Sequence, residues 1–167
     1  MTFQQILFII FGAITVGAAL MVVTKRNIFH AALFMILAFF GIALLYVLLE
    51  APFMVGVQLF IYIGGISILI IFAIMLSKDM IDPNLAGSNR QWVMAVLVAV
   101  LLCAVLGGAV LSHKGWPAEP AGPVPEDSIV ILGTTLVDTE GLALPFEVAS
   151  VLLLVALIGS VTIARER

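Results

Sequence analysis

A chain that moves protons or cations through a bilayer by itself needs ionisable side chains within its membrane spans. This chain keeps Asp, Glu, Lys and Arg away from the middle of its apolar runs. The groups left to do chemistry there are polar or small, and they gather in residues 53–76 as Gln58, Tyr62, Gly64, Gly65 and Ser67. Gln58 and Tyr62 are four apart and share a helix face. A phenol in hydrocarbon wants a hydrogen-bond partner. Gly64 and Gly65 then remove side-chain bulk twice in succession. Each glycine costs about 1 kcal/mol relative to alanine in a helix in water. In a membrane such a pair admits a close neighbour, or marks a kink or π-bulge. The residues support two readings. In one, the Tyr62 hydroxyl bonds a neighbouring helix or Gln58, and the cluster is packing. In the other, the Gln58–Tyr62–Gly64–Gly65 segment switches between two helix geometries and gates a water path. Spacing admits both.

The remaining candidates stand at span ends. His30 and Glu50 read either as interfacial residues or as parts of a relay, and Glu147 lies near the start of the last apolar run. His30, His113 and Cys103 lack the spacing of a zinc site. Cys103, the single cysteine, forms no intrachain disulfide and reads as a small packed hydrophobe. There is no phosphate-binding glycine loop, nucleophile triad or haem-attachment motif. The sequence thus offers no catalytic, cofactor-binding or metal-ligating constellation of its own.

The elements that hold the cluster are membrane spans. Apolar residues make up 63% of the chain and charged residues 10%, more apolar than a soluble domain of this length requires. The runs are continuous, which excludes a transmembrane barrel with alternating faces. The expected fold is an all-α integral membrane protein, a single membrane domain over residues 1–167 with five transmembrane helices at about 3–23, 28–49, 53–76, 92–111 and 145–164. The first run has no basic residue before it and is too long for a signal core, so it reads as a retained helix. Residues 24–27 form a polar turn. Glu50-Ala51-Pro52 ends the second run, because proline disfavours helix in the residue before it and suits the first turn of the next. The third run would extend about 36 Å, against a hydrocarbon core of about 30 Å.

Lys78, Asp79, Asp82, Pro83, Asn84, Gly87 and Arg90 mark residues 77–91 as an exposed loop. Trp92 anchors the fourth run at the interface. Ala104 and Gly108 give that helix a small-residue face, as Ala156 and Ser160 do for the fifth. Pro117, Pro120, Gly122, Pro123 and Pro125 predict an extended or irregular connection over 112–144, with Ile129 to Leu132 as a short strand or helix. Pro145 suits a first helical position, and Glu147 in the first turn suits the positive end of the helix dipole. Lys25, Arg26, Lys78, Arg90, Arg165 and Arg167 fall on one side of the five spans. Lys114 falls on the other, with Glu50, Glu119, Glu126, Asp127, Asp138, Glu140 and Glu147. The positive-inside rule then places the N-terminus outside, the C-terminus in the cytoplasm and the 112–144 loop outside the cytoplasm.

The third run reads Gln58-Leu-Phe-Ile-Tyr62-Ile-Gly64-Gly65-Ile66-Ser67-Ile-Leu69-Ile-Ile-Phe72-Ala-Ile-Met75-Leu76. It resembles the third helix of subunit J of the proton-pumping NADH:quinone oxidoreductases, respiratory complex I. Leu144-Pro145-Phe146-Glu147-x-Ala149-Ser150, continuing to Ala156-Leu-Ile-Gly159, is similar to the start of that family's last helix. Asn27-x-x-His30-Ala31-Ala32-Leu33 is a weaker match. The resemblance implies a π-bulge near Tyr62–Gly65, whose change to regular α-helix couples quinone reduction to proton movement in adjacent subunits. Gly65 replaces the family's usual alanine, and Ser67 stands where an apolar residue is common; both departures soften the helix. Glu50 falls in a loop where many members carry an acidic residue.

The resemblance further implies a core membrane-arm subunit of a proton-translocating enzyme in the cell inner membrane. Its partners would be the small K-type subunit, the quinone-site and A-type subunits, the antiporter-like subunits and the lipid bilayer, with no nucleic acid. FMN, iron–sulfur clusters and quinone would sit on other subunits. Against this stand an independent small transporter or antiporter, which the missing intramembrane charge and repeat symmetry disfavour, and a purely structural subunit of a related membrane complex such as a membrane-bound hydrogenase.

The orientation carries a test. A cysteine engineered into the 112–144 loop is expected to react with a membrane-impermeant thiol label added outside intact cells. Labelling only after the membrane is permeabilised would reverse the assignment.

Overall fold

The computed structural model describes residues 2–77, 92–112 and 124–165. Lys78, Asp79, Asp82, Pro83, Asn84, Gly87 and Arg90 of the expected loop lie outside the described residues, as do His113, Lys114, Pro117, Glu119, Pro120, Gly122, Pro123 and Arg167. Among the described residues, five helices are long and apolar enough to cross a membrane: Phe3–Thr24, Ile28–Leu48, Pro52–Leu76, Trp92–Ser112 and Ala143–Ala164. We label the first four α1 to α4. A shorter helix, Ser128–Val137, is α5, and Ala143–Ala164 is α6. The expected span limits agree with these to within two residues at each end.

The chain divides into two units, residues 1–122 and 123–167. In the first, α2 is the middle element, packed against α1 on one side and along the length of α3 on the other. The turn between α1 and α2 is short because each helix end is closed locally. The Lys25 amide donates to the Met21 carbonyl at the end of α1. The Asn27 carboxamide oxygen accepts from the amides of Phe29 and His30 at 2.9 and 3.2 Å, satisfying two of the open donors at the start of α2.

The interior of this unit is made of small side chains. Ala18, Ala32, Ala38 and Ala43 are its buried apolar residues, and Gly41 is buried with them. Lipid tails are as apolar as leucine, so burying a large side chain in protein gains little over leaving it in lipid. Close approach of backbones is what holds such helices together. Gly41 shows the requirement directly. A Cβ built on it would sit 3.2 Å from the Thr15 Cα and collide with the Thr15 hydroxyl. That hydroxyl is already held at 2.8 Å by the Phe11 carbonyl of its own helix.

The third span departs from a uniform helix. Residues Pro52–Val57 are α-helical, Gln58–Ser67 form a π-helix, and Ile68–Leu76 return to α. The implied bulge near Tyr62–Gly65 is present as part of a ten-residue π segment rather than a single widened turn.

In the second unit, the connection expected to be irregular contains α5. This helix extends well past the Ile129–Leu132 strand or helix anticipated there. Its Thr134 and Thr135 hydroxyls bond carbonyls of their own helix, so they do not oppose it. The corner from α5 to α6 is tight. The Asp138 carboxylate accepts from the Glu140 amide at 3.2 Å, and the Leu142 amide donates to the Thr135 carbonyl at 2.9 Å. Gly141 is required there, because a Cβ would lie 2.7 Å from the Thr135 carbonyl oxygen. α6 starts at Ala143, two residues before Pro145. Pro145 is therefore the third helical residue, where its missing amide still has no helical partner to lose. Glu147 falls in the second turn rather than the first, which weakens its interaction with the helix dipole.

Gly41→Val is expected to destabilise the α1–α2 pair by about 1–3 kcal/mol through overpacking. Thermal unfolding of the chain in detergent would show a lowered midpoint. An unchanged midpoint would mean that α1 and α2 can separate at Thr15 without loss.

Candidate functional site

The cluster found in the sequence is built around Phe39 of α2, a residue that carried no signal by itself. Gln58, 4% exposed, donates its carboxamide N–H to the Phe39 carbonyl at 3.3 Å. The Tyr62 ring packs edge-on against the Phe39 ring, with centroids 5.5 Å apart and planes at 70°. One residue of α2 thus receives two of the polar side chains of the π segment, one through its backbone and one through its ring. Edge-to-face contacts of this kind contribute about 0.5–1.5 kcal/mol beyond area burial. Gln58 bonds α2 and not Tyr62. The pairing of Tyr62 with Gln58, one of the sequence alternatives, does not form.

Ser67 folds back onto the same segment. Its hydroxyl donates to the Tyr62 carbonyl at 2.7 Å, and its side chain is fully buried. Gly64 and Gly65 are exposed on the π segment. A Cβ on Gly64 would meet the Leu59 carbonyl oxygen at 3.4 Å, and one on Gly65 the Phe60 carbonyl oxygen at 3.8 Å. Both are ordinary contacts with their own helix. The glycine pair therefore admits no neighbouring helix among the described residues. It leaves a smooth strip on the outside of a widened helix.

Glu50 lies at the corner between α2 and α3, in an unusual backbone state. Its φ is 53°, the left-handed region that glycine normally occupies. The Glu50 amide donates to the Val47 carbonyl and the Ala51 amide to the Tyr46 carbonyl, both at 3.1 Å. This is the Schellman closure of a helix C-terminus, with Glu50 in the glycine position. Pro52 then opens α3. An apolar recess of about 250 Å³ lies beside the corner, lined by Val47, Glu50, Ala51, Pro52 and Val55. Glu50 is exposed, so its carboxylate remains free to meet solvent or another chain.

The structure does not bring the other candidates into this cluster. His30 sits in the first turn of α2, exposed, its ring edge-on to Phe29 at 6.3 Å. His30 and Glu50 occupy opposite ends of α2, about 30 Å apart along the helix axis. They cannot exchange a proton without intervening groups. Glu147 belongs to the other unit, where its carbonyl accepts from the Ser150 hydroxyl at 2.7 Å.

Residues 18–163 match the model of the family described as NADH-ubiquinone/plastoquinone oxidoreductase chain 6. An NAD(P)H-quinone oxidoreductase chain 6 of Synechocystis sp. is 37% identical, over 98% of this chain and 81% of its own length. One from Leptolyngbya boryana is 38% identical, over 98% of this chain and 80% of its own. The F(420)H(2) dehydrogenase subunit J of Methanosarcina mazei is 35% identical, over 97% of this chain and 91% of its own.

Glu50→Gly is expected to stabilise the α2–α3 corner. A non-glycine residue in the left-handed region costs about 1–2 kcal/mol. Part of that gain is offset by the greater unfolded-state freedom of glycine, leaving roughly 1 kcal/mol. A raised thermal midpoint in detergent checks it. A lowered midpoint would mean that the carboxylate contributes more than the strain costs.

Proposed function

The chain belongs to the NADH-ubiquinone/plastoquinone oxidoreductase chain 6 family, and from that premise we propose that it is a core membrane-arm subunit of a proton-translocating NADH:quinone oxidoreductase. In this reading it couples quinone reduction to proton movement through α3 and holds no reaction centre. FMN, iron–sulfur clusters and quinone sit on other subunits. The relatives support that division, because their names carry different electron donors, NAD(P)H in one case and F(420)H(2) in another, for one type of membrane chain.

The observation that carries the coupling role is the π segment Gln58–Ser67 inside an otherwise α-helical span. π-Helices are rare and concentrate at functional sites. A helix with two registers biases a water path by moving its side chains and needs no titrating group of its own. The carboxylates of that path then belong to neighbours. The polar cluster fits this division of labour. Gln58 and Tyr62 are fixed on Phe39, while Gly64 and Gly65 leave the outer surface free to rewind.

The partners in this reading are the small K-type subunit, the quinone-site and A-type subunits and the antiporter-like subunits. Their association is supported by α4 and α6, whose span residues are not buried within this chain. The charge distribution supports a cell inner membrane location, with the N-terminus outside and the C-terminus in the cytoplasm.

The test is purification of the complex through a tag on this chain, followed by assays of inhibitor-sensitive quinone reduction and proton translocation. Gly64→Val is expected to lower both several-fold, because a branched side chain crowds the Leu59 carbonyl and fixes one register. Gly64→Ala, whose Cβ fits at 3.4 Å, is expected to lower them less. Wild-type rates and proton yield for the valine variant would remove α3 from the coupling mechanism. Recovery of a small homo-oligomer without redox partners would remove the subunit assignment.

A further inference from the structure

Ser67 is the one fully buried side chain among the described residues, and its hydrogen bond does not follow the pattern of the others. Hydroxyls within α-helices bond the carbonyl three or four residues back. This chain supplies its own controls. Thr15, Thr24, Thr135 and Thr162 reach the carbonyl four residues back, and Ser150 and Ser160 reach three back. Ser67 reaches five back, to Tyr62. Five is the spacing of the π-helical backbone ladder.

We propose that Ser67 is a positioning residue that selects the π register of α3, its hydroxyl acting as a clasp on the Tyr62 carbonyl. The clasp distinguishes the two registers. In the π register the backbone partner of the Tyr62 carbonyl is the Ser67 amide, so the amide and hydroxyl of one residue converge on one oxygen. In the α register that carbonyl belongs to the Ile66 amide, and the Ser67 hydroxyl turns toward the carbonyls of Ile63 or Gly64. Back-bonding of a serine hydroxyl to the carbonyl four residues back slightly destabilises an α-helix. A group shifts a two-state equilibrium only through a difference between the states, and this hydroxyl has one. Full burial keeps water from replacing the bond.

Rewinding the segment changes what lies beyond it. A π-turn holds more residues than an α-turn, so rewinding the ten-residue segment turns the following residues around the axis. Pro52–Val57, held by the Glu50 corner, stay in place. Ile68–Leu76 rotate, carrying Phe72 off its present exposed face. The register choice rests on the geometry of Ser67. Its consequence for activity rests on the coupling role proposed for α3.

The test is cryo-electron microscopy of the tagged complex carrying Ser67→Ala, Ser67→Thr or Ser160→Ala, with quinone reduction measured on each. Ser67→Ala is expected to show an α-helical Gln58–Ser67 segment and Phe72 turned around the helix axis from its present face. Ser67→Thr keeps the hydroxyl and is expected to keep the π register. Ser160→Ala removes an ordinary exposed back-bond and is expected to leave α3 unchanged. If Ser67→Ala does not assemble, Ser67→Cys, similar in size with a weak donor, is read for the same rotation. A π segment retained in Ser67→Ala, or in Ser67→Cys where it is read instead, overturns the clasp at any activity. So does an α segment in both Ser67→Ala and Ser67→Thr, which would assign the register to packing. An α segment in Ser67→Ala with unchanged quinone reduction leaves the clasp standing and removes the coupling role instead.

Discussion

A backbone amide or carbonyl in hydrocarbon has no water to bond, so every such group in a membrane span must be paired inside the protein. That constraint permits little variation, and α3 uses what it permits. Over Gln58–Ser67 the ladder changes from four residues to five without leaving a strand edge or an open loop in the membrane. The Ser67 hydroxyl adds a bond at the same five-residue spacing. A π segment is one of the few ways a spanning helix can hold a second geometry while keeping its backbone satisfied. An α-helical ladder over the same residues would differ from it by one residue in each bond.

The rest of the first unit acts as the frame for that segment. α2 lies between α1 and α3 and fixes both. Toward α1 it offers Gly41, where contact with Thr15 leaves no room for a side chain. Toward α3 it offers Phe39, which takes Gln58 through its carbonyl and Tyr62 through its ring. At its C-terminus the Schellman corner holds Glu50 in a left-handed state and delivers the chain into Pro52. The first half of α3 is thus tied at its start and along one face. Past Ser67 the ties are fewer. Ile68–Leu76 contacts α2 but carries no side-chain hydrogen bond to it among the described residues. A change of register in the middle would be passed to the free end rather than absorbed at the fixed one.

The distribution of chemistry follows the same logic. The buried polar groups of the first unit, Gln58 and Ser67, are hydrogen-bonded, and no buried side-chain nitrogen or oxygen among the described residues lacks a partner. A satisfied amide and a satisfied hydroxyl shape the helix that carries them. His30 and Glu50, the ionisable residues at the ends of α2, are exposed and far apart. The relatives' names carry different electron donors, NAD(P)H in one case and F(420)H(2) in another, for one type of membrane chain.

The sequence by itself determined the fold class, the number of spans and their limits to within two residues. Each of these depends on local quantities: the length of an apolar run, the placement of Pro52, Asn27 and Trp92, and the absence of charge. It also singled out Gln58, Tyr62, Gly64, Gly65 and Ser67, which are conspicuous in a run that lipid would fill with leucine and isoleucine. A π-turn near Tyr62 was legible only through resemblance to a family. No spacing rule distinguishes a glycine pair that packs from one that rewinds. Tertiary structure decided the remainder. It gave Gln58 a partner on another helix, nineteen residues away, and made Phe39 the centre of the cluster. It drew Ser67 five residues back rather than four, and extended the π segment to ten residues. It also placed Glu50 where glycine is usual, and folded α5 in a stretch whose prolines read as irregular. In the first unit, each of these depends on which surface a neighbouring helix presents and how closely two backbones meet. Those distances exist only once α1, α2 and α3 are packed, and no single run of residues encodes them.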